Sequence, residues 1–247
     1  MEPTNFEWTP EFWSGWRESS NPYRKYKSER DRRLVLQLLD PRDGERVLEV
    51  GCGYGWISRA LWGAANIQWV GVDRSEAMIC RLRAAQPGRS TQTLLGDACG
   101  LPFGEGRFDK VLCTGVLMHV TDYATAVREL IRVLRPGGHL LCSVNNILSP
   151  CSIPVRVWNL RKKEFVQKFL LPRKFRRLLH EGGVQLDRMA GDGIIATVPF
   201  TFGRLGFPPA SMHGPVCKLD QWATRRFPLL AYELWFHGVK AISSCVF

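Results

Sequence analysis

Short apolar runs alternate with polar segments along the chain, and one run is followed by an unusual turn. Residues 47–50 are apolar and rich in β-branched side chains apart from one acid, as in a buried strand. Apolar residues then recur at helical spacing from Ile57 to Ala64. The two patterns are joined by three glycines at alternate positions, Gly51, Gly53 and Gly55. This order predicts a nucleotide-type site at the carboxyl end of a parallel strand.

The same alternation continues downstream. Further strands are predicted at residues 68–73, 91–95, 108–113, 139–144, 184–189 and 234–240. Helical patterns begin at Ser28, after the N-cap candidates Ser75 and Asp122, and near Pro172. Strands that alternate with helices imply a parallel sheet with helices on both faces.

The glycine turn differs from two common phosphate-binding loops. Its G-x-G-x-G spacing lacks the last glycine of the dinucleotide fingerprint, and no Gly-Lys-Ser/Thr follows. Glu49 lies inside the motif, where a carboxylate would repel a phosphate but suit a cofactor that carries positive charge. A second acid, Asp73, lies 22 residues after Gly51 and matches the position that accepts hydrogen bonds from ribose hydroxyls.

The order of these motifs resembles the class I S-adenosylmethionine-dependent methyltransferases over about residues 28–145. The matching segments are Val-Leu-Glu-Val-Gly-Cys-Gly at 47–53, Asp73, Gly-Asp-Ala at 96–98, Phe-Asp-Lys-Val at 108–111 and Leu-Arg-Pro-Gly-Gly-His-Leu at 134–140. The resemblance implies an α/β fold with a Rossmann-like, doubly wound, seven-stranded sheet. The sheet would be mostly parallel with an antiparallel edge strand, contributed by the closing pair. The implied cofactor is S-adenosyl-L-methionine, a sulfonium.

The resemblance also implies roles for individual residues. Gly51 and Gly53 would approach the methionine part of the cofactor, and Asp73 would bind the ribose. Asp97 would bind the adenine amino group, and Ala98 would contact the ring through its backbone. The complete predicted cofactor site is Glu49, Gly51, Cys52, Gly53, Asp73, Arg74, Met78, Asp97, Ala98, Thr114 and Gly115. Within it, Thr114 and Gly115 would border the transferring methyl, and Met78 would either pack on adenine or fill the core.

One histidine is the candidate catalytic residue. A hydroxyl or ammonium acceptor needs a base, and His119 lies just past the fourth predicted strand, where it could serve. Its apolar neighbours equally allow a structural histidine. The eight cysteines form no C-x-x-C pair, so no metal site and no disulfide framework are predicted. Free thiols, together with an N-terminus unlike a secretory signal and no bilayer-spanning apolar run, favour a cytoplasmic location.

The chain reads as a single methyltransferase domain, 1–247, with additions. Residues 1–27 form an aromatic arm that either lies over the sheet or covers core. Two loosely patterned segments, 145–171 and 192–231, are predicted substrate-cover insertions, because long connections are normally functional.

Net charge is unevenly distributed. The formal charge is +11, and residues 1–150 carry 19 Lys and Arg against 17 Asp and Glu. Residues 151–247 carry 15 against 6, so the C-terminal part is basic. This favours an anionic substrate or surface near that part, although a solvated basic face would look the same. Candidate contacts are Arg161, Lys162, Lys163, Lys218, Arg225 and Arg226.

The function predicted first is methyl transfer from S-adenosylmethionine to an oxygen or nitrogen of a small-molecule acceptor, for which the basic part favours an anion. RNA methylation is the alternative that the basic part keeps open, although no recognisable nucleic-acid module accompanies it. A non-catalytic member that only binds the cofactor is the third reading. A nicotinamide-dependent dehydrogenase is disfavoured by Glu49 and the missing glycine. Neither the acceptor nor the oligomeric state follows from the sequence.

Overall fold

The structure is a computed structural model that describes residues 10–17, 21–85, 92–161, 167–195 and 210–242. Within these ranges seven strands form one sheet in the order β3-β2-β1-β4-β5-β7-β6. The strands are β1 Arg46–Val50, β2 Gln68–Asp73, β3 Gln92–Leu95, β4 Phe108–Cys113, β5 Leu134–Asn145, β6 Val184–Asp192 and β7 Glu233–Lys240. The predicted seven-stranded, doubly wound α/β fold is confirmed.

The strand order reverses next to β1. The chain runs outward through β2 and β3, then crosses to the other side of β1 to form β4, and both neighbours of β1 are parallel to it. The carboxyl ends of β1 and β4 therefore open a crevice, which is where open α/β sheets bind ligands.

The closing pair lies at one edge of the sheet, as predicted. Strand β7 is antiparallel to β5 on one side and to β6 on the other. It is therefore one position inside the edge, and β6 is the edge strand. The carboxyl end of β6 and the start of β7 meet at the Asp192–Glu233 pair. This pair lies at the same end of the strands as the crevice.

Helices cover both faces of the sheet. They are α1 Pro10–Arg17, α2 Pro22–Leu39, α3 Ser58–Ala64, α4 Glu76–Ala84, α5 Tyr123–Val133, α6 Ser152–Arg161, α7 Pro172–Glu181 and α8 His213–Arg226. Leu48 and Val50 of β1 pack on the face with α5 and α7, whereas Val47 packs on the face with α2, α3 and α4. Burial on both faces explains why β1 reads as an apolar run.

Several predicted boundaries shift. Helix α2 starts at Pro22 rather than Ser28, because the Asn21 side chain accepts hydrogen bonds from the backbone N–H groups of Tyr23 and Arg24. Strand β5 begins at Leu134 rather than His139. The predicted caps Ser75 and Asp122 are both present. Helices α6 and α8 were not predicted.

The aromatic arm is described only in part. Residues 1–9 and 18–20, and the side chains of Phe12, Trp13 and Trp16, lie outside the described part of the chain. Tyr23 and Tyr26 are buried, and the Tyr26 hydroxyl lies 3.3 Å from the Cys217 carbonyl and from an Asp220 carboxylate oxygen of α8. These two tyrosines therefore cover core.

A buried cluster of charges ties α2 to the end of the sheet. The Lys27 ammonium lies 2.8 Å from carboxylate oxygens of both Asp192 and Glu233, and 2.5 Å from one of Asp31. These three carboxylates are close enough together to hold a metal ion. The ammonium contacts all of them and balances part of their charge.

The two predicted cover insertions contain more secondary structure than expected. Helix α6 lies in the first, and α8 lies in the second with short 3₁₀ turns before and after it. Residues 162–166 and 196–209, and the Arg161 side chain, lie outside the described ranges, so the predicted contacts of Arg161, Lys162 and Lys163 stay predictions. Among the helices that are described, none has the length and hydropathy to cross a bilayer.

Candidate active site

A cavity of about 420 Å³ lies at the carboxyl ends of β1, β2 and β4. Every residue of the predicted cofactor site contributes to its wall, and so does His119. The sequence reasoning missed further lining residues, which are Val50, Tyr54, Trp56, Ile57, Val72, Gly96, Cys99, Val116, Val120, Thr121 and Asp122. All of these lie next to a predicted motif in sequence, which is the signal that could have found them.

The glycine turn is built from backbone that side chains rarely adopt. Gly51 has φ +77°, and its N–H donates to the Val72 carbonyl at 2.7 Å. A Cβ on Gly51 would lie 2.1 Å from a methyl of Val116. Gly53 has φ +52°, but no atom lies within 4 Å of the place a Cβ would take. The space over Gly53 is thus open for a ligand to approach the backbone.

Asp73 fastens the turn from the end of β2. One carboxylate oxygen accepts the Gly53 N–H at 2.8 Å, and the other accepts the Ser75 N–H at 2.9 Å. Burial raises the pKa of Asp73, and these backbone donors oppose that rise. Each oxygen retains acceptor capacity, so the carboxylate can still accept hydrogen bonds from a ribose.

The acid of the Gly-Asp-Ala motif lies in a turn after β3. The Asp97 carboxylate accepts the Cys99 N–H at 2.8 Å, and the side chain is exposed. Ala98 is buried beside it. Met78, in the first turn of α4, is also buried and lines the cavity, so the two predicted roles of Met78 are compatible.

Glu49 lines the cavity, but its side chain is buried and held by two hydrogen-bond donors. Its Oε2 accepts hydrogen bonds from the Ser58 hydroxyl at 2.7 Å and the Trp69 indole at 3.0 Å. Burial raises the pKa of Glu49 to about 8, with the two donors opposing the rise. The protonated form is therefore favoured at neutral pH, which weakens the argument that a charged Glu49 repels phosphate. Nothing in the sequence pattern pointed to Ser58 or Trp69.

The segment after β4 is positioned by β5. The Gly115 N–H donates to the Ser143 hydroxyl at 2.9 Å, and the register that pairs Cys113 with Cys142 brings these two residues together. Ser143 is fully buried. Sequence reasoning missed it because its role depends on strand register.

His119 lies in a turn beside the cavity. Its backbone N–H donates to the Val116 carbonyl at 2.8 Å. Burial lowers the pKa of His119 to about 3, so the imidazole is neutral near pH 7. A base that weak is poorly matched to neutral pH, because proton transfer is most efficient when the pKa lies near the working pH. His119 therefore lies next to the site, but its lowered pKa disfavours it as a strong base.

Comparison with known families identifies this region. A family model described as a methyltransferase domain matches residues 48–142. These residues form a class I methyltransferase domain. Two solved structures that share this fold hold S-adenosylhomocysteine, the demethylated form of S-adenosylmethionine. The cavity fits that group, because the open backbone over Gly53 admits the chain of the cofactor and Asp73 offers acceptors for a ribose.

Curated relatives match less than half of this chain. Methyltransferase GfsG of Streptomyces halstedii is 33% identical over 45% of this chain and 42% of that protein. The O-methyltransferase cnsE of Penicillium expansum is 34% identical over 44% and 41%. A demethylmenaquinone methyltransferase of Staphylococcus saprophyticus is 34% identical over 45% and 49%. The chain thus spans less than half the length of these relatives.

Solved structures share the fold over nearly the whole chain. One chain of the complex between the Haloferax volcanii Trm112 methyltransferase activator and a putative methyltransferase covers 98% of this chain and all of that one, with TM-score 0.67 and 21% identity. Magnesium protoporphyrin IX methyltransferase of Synechocystis with bound SAH covers 89% and 86%, with TM-score 0.62 and 16% identity. At these identities the likeness concerns the fold alone.

Proposed function

We propose that the chain transfers the methyl group of S-adenosylmethionine to an oxygen or nitrogen of a small molecule. The observation that carries this is the cavity beside β1, in which the open space over Gly53 lies next to Asp73 and Asp97. The cofactor brings a methyl activated by the positive sulfur. What remains for the protein is to hold the partners in line and keep water out.

The residues divide this work. The glycine turn and Asp73 would hold the methionine and ribose parts, with Asp73 fixed by its two backbone donors. Thr114 and Gly115 would border the reacting groups, and the Gly115–Ser143 hydrogen bond sets their position. Burial of Cys52, Met78 and Ala98 keeps this wall apolar and excludes water. His119 lines the cavity beside these groups in its neutral form, where burial makes it a weak base.

A small-molecule acceptor is supported by the names of two relatives, an O-methyltransferase and a demethylmenaquinone methyltransferase. The excess of basic residues after residue 150 supports an anionic one. RNA methylation is the second candidate, and the same basic excess favours it.

The cofactor assignment is tested by calorimetric titration with S-adenosylhomocysteine and, separately, with NAD. We expect saturable binding of S-adenosylhomocysteine and none of NAD. Failure of S-adenosylhomocysteine to bind would reject the proposal.

The transfer itself is tested by incubating the protein with cell extracts and methyl-labelled cofactor. Label in a small organic molecule supports the proposal, and label in RNA supports the second candidate. Cofactor binding without label in any fraction would indicate a non-catalytic member.

A further inference from the structure

The outward side of α8 and the turn after it form an exposed apolar and basic surface, which we call the α8 face. On the helix, Leu219 and Trp222 are 50% and 60% exposed. After the helix, Phe227, Leu229 and Leu230 are each more than 40% exposed. The α8 face comprises these five residues together with the exposed cations Lys218, Arg225 and Arg226. So many large apolar side chains on one short segment mark an interaction site.

The opposite side of α8 is firmly packed. Cys217, Asp220, Ala223 and Thr224 recur at helical spacing and are buried. Asp220 accepts the backbone N–H groups of Ile194 and Ile195 at 2.9 and 2.7 Å. The exposure of the other side therefore does not come from a loosely held helix.

Aromatic and cationic groups are interleaved on the α8 face. The Trp222 and Phe227 rings meet edge to face with centroids 6.1 Å apart, and the Arg226 guanidinium lies 5.2 Å from the Phe227 ring. A shallow groove is lined by Lys218, Trp222, Arg225 and Arg226, together with Gln221. Apolar and charged groups thus share one surface instead of forming separate patches.

The charge of this surface has one sign. Residues 210–232 contain three cations, Lys218, Arg225 and Arg226, and a single acid. That acid is Asp220, which is fully buried on the inner side. The α8 face therefore presents three positive charges and no negative charge.

From this combination we infer that the α8 face binds the surface of an anionic lipid bilayer. Trp, Phe and Leu side chains enter the boundary between headgroups and acyl chains, while Lys and Arg reach lipid phosphates from the same helix. Each basic residue near such a surface contributes attraction that salt weakens. Lipid binding stands apart from the methyl transfer proposed above.

Two other partners fit the α8 face less well. A protein interface has few charged residues at its core and is depleted in Lys, whereas Lys218 and two arginines line the same groove as Trp222 here. A single-stranded nucleic acid binds cations through its phosphates and stacks its bases on aromatic rings. Neither contact involves the exposed aliphatic side chains of Leu219, Leu229 and Leu230. A bilayer uses all three kinds of side chain.

Helix α8 lies close to the carboxyl end of β6, because Asp220 accepts the backbone N–H of Ile194, just after that strand. The carboxyl end of β6 lies at the same end of the strands as the cofactor cavity. A protein bound to a bilayer by this face would therefore have the carboxyl ends of its parallel strands near the lipid.

The test is sedimentation of the whole chain with vesicles of phosphatidylcholine and phosphatidylglycerol in equal parts, and with vesicles of phosphatidylcholine alone. We expect binding to the anionic vesicles that declines as salt is raised. A triple variant, K218Q with R225Q and R226Q, should bind about 100-fold more weakly, which corresponds to about 3 kcal/mol. A double variant, L219S with W222S, should also lose binding although its charge is unchanged.

A matched control removes the same charge from another helix. Arg173, Lys174 and Arg176 on α7 are exposed, and no large apolar side chain within α7 is exposed beside them. The variant R173Q with K174Q and R176Q should bind like the original chain. Circular dichroism and the melting temperature confirm that each variant is folded.

Three results would overturn the inference. One is absence of binding to anionic vesicles. Another is an equal loss in the α7 variant, which would indicate a general charge effect. The third is binding of an RNA oligonucleotide in place of vesicles, with the same loss in the K218Q, R225Q and R226Q variant, which would make the α8 face a nucleic-acid surface.

Discussion

At the scale of single residues, two glycines of one turn are constrained by different neighbours. A methyl on Gly51 would strike Val116, whereas a methyl on Gly53 would enter open space. We expect Gly51→Ala to lower the free energy of unfolding by about 3 kcal/mol, from positive φ plus overpacking. Gly53→Ala should lower it by only about 1 kcal/mol but weaken S-adenosylhomocysteine binding about tenfold or more. Denaturant unfolding and calorimetry measure the two effects. Unchanged affinity in Gly53→Ala would show that the cofactor does not approach this turn.

Glu49 gives a pH dependence whose direction follows from its burial. Its pKa rises from 4.5 in the unfolded chain to about 8 in the fold. Between these values the folded state holds a proton that the unfolded state has lost, so the free energy of unfolding falls as pH rises. Relative to Glu49→Gln, which keeps an acceptor for Ser58 and Trp69, the original chain should lose a few kcal/mol from pH 5 to 9, at about 1.4 kcal/mol per pKa unit. Urea unfolding across that range measures the difference, and parallel curves would contradict it.

His119 can be tested against the size of a general-base effect. Because burial lowers its pKa to about 3, we expect His119→Gln to keep kcat within about tenfold of the original enzyme. A true general base contributes roughly 10²–10⁴-fold. The measurement is labelled methyl transfer to an acceptor found in the extract screen. A loss beyond about 100-fold, with cofactor affinity intact, would restore the catalytic role.

At the scale of elements, α2 is held to the sheet by charge as well as by apolar packing. Lys27→Met would leave Asp31 and Glu233 buried without the cation they share with Asp192, which keeps its ion pair with Arg30. We expect a loss of about 3 kcal/mol or more in the free energy of unfolding, since breaking a buried ion pair is strongly destabilising. The control is Arg42→Ala, which breaks an exposed pair with Asp40 and should change stability by less than about 1 kcal/mol. Equal effects in the two variants would contradict the assignment.

The strands were easier to predict from the sequence than two of the helices. All seven strands were predicted. Those with two buried faces, such as β1 and β7, gave apolar runs, and the caps Ser75 and Asp122 gave local signals. Helices α6 and α8 gave none, because each contains a proline. The inner face of α8 also depends on distant partners such as Ile194 and Tyr26.

At the scale of the whole molecule, the walls of the cavity were predictable from the sequence and the acceptor was not. All predicted cofactor residues surround one cavity, since each lies at a strand end that the sheet brings together. Ser58, Trp69 and Ser143 were missed because they act through contacts between elements. The family match ends at residue 142. The predicted cover insertions, 145–171 and 192–231, lie after that match, and their role towards the acceptor stays a prediction.

Strand β7 is the last of the seven in the chain, yet it lies between β5 and β6. Its pairs with β5 join residues about 100 positions apart, such as His139 and Val239, and such distant contacts form slowly. About 40 residues separate the end of β6 from the start of β7, which is roughly 2–8 s of synthesis on a ribosome. During that interval β5 is an open edge and β6 has no place in the sheet. Strands β1 to β5, which include those around the cavity, can therefore pair while the chain is still growing. The edge formed by β7 and β6 cannot form until β7 has been synthesised.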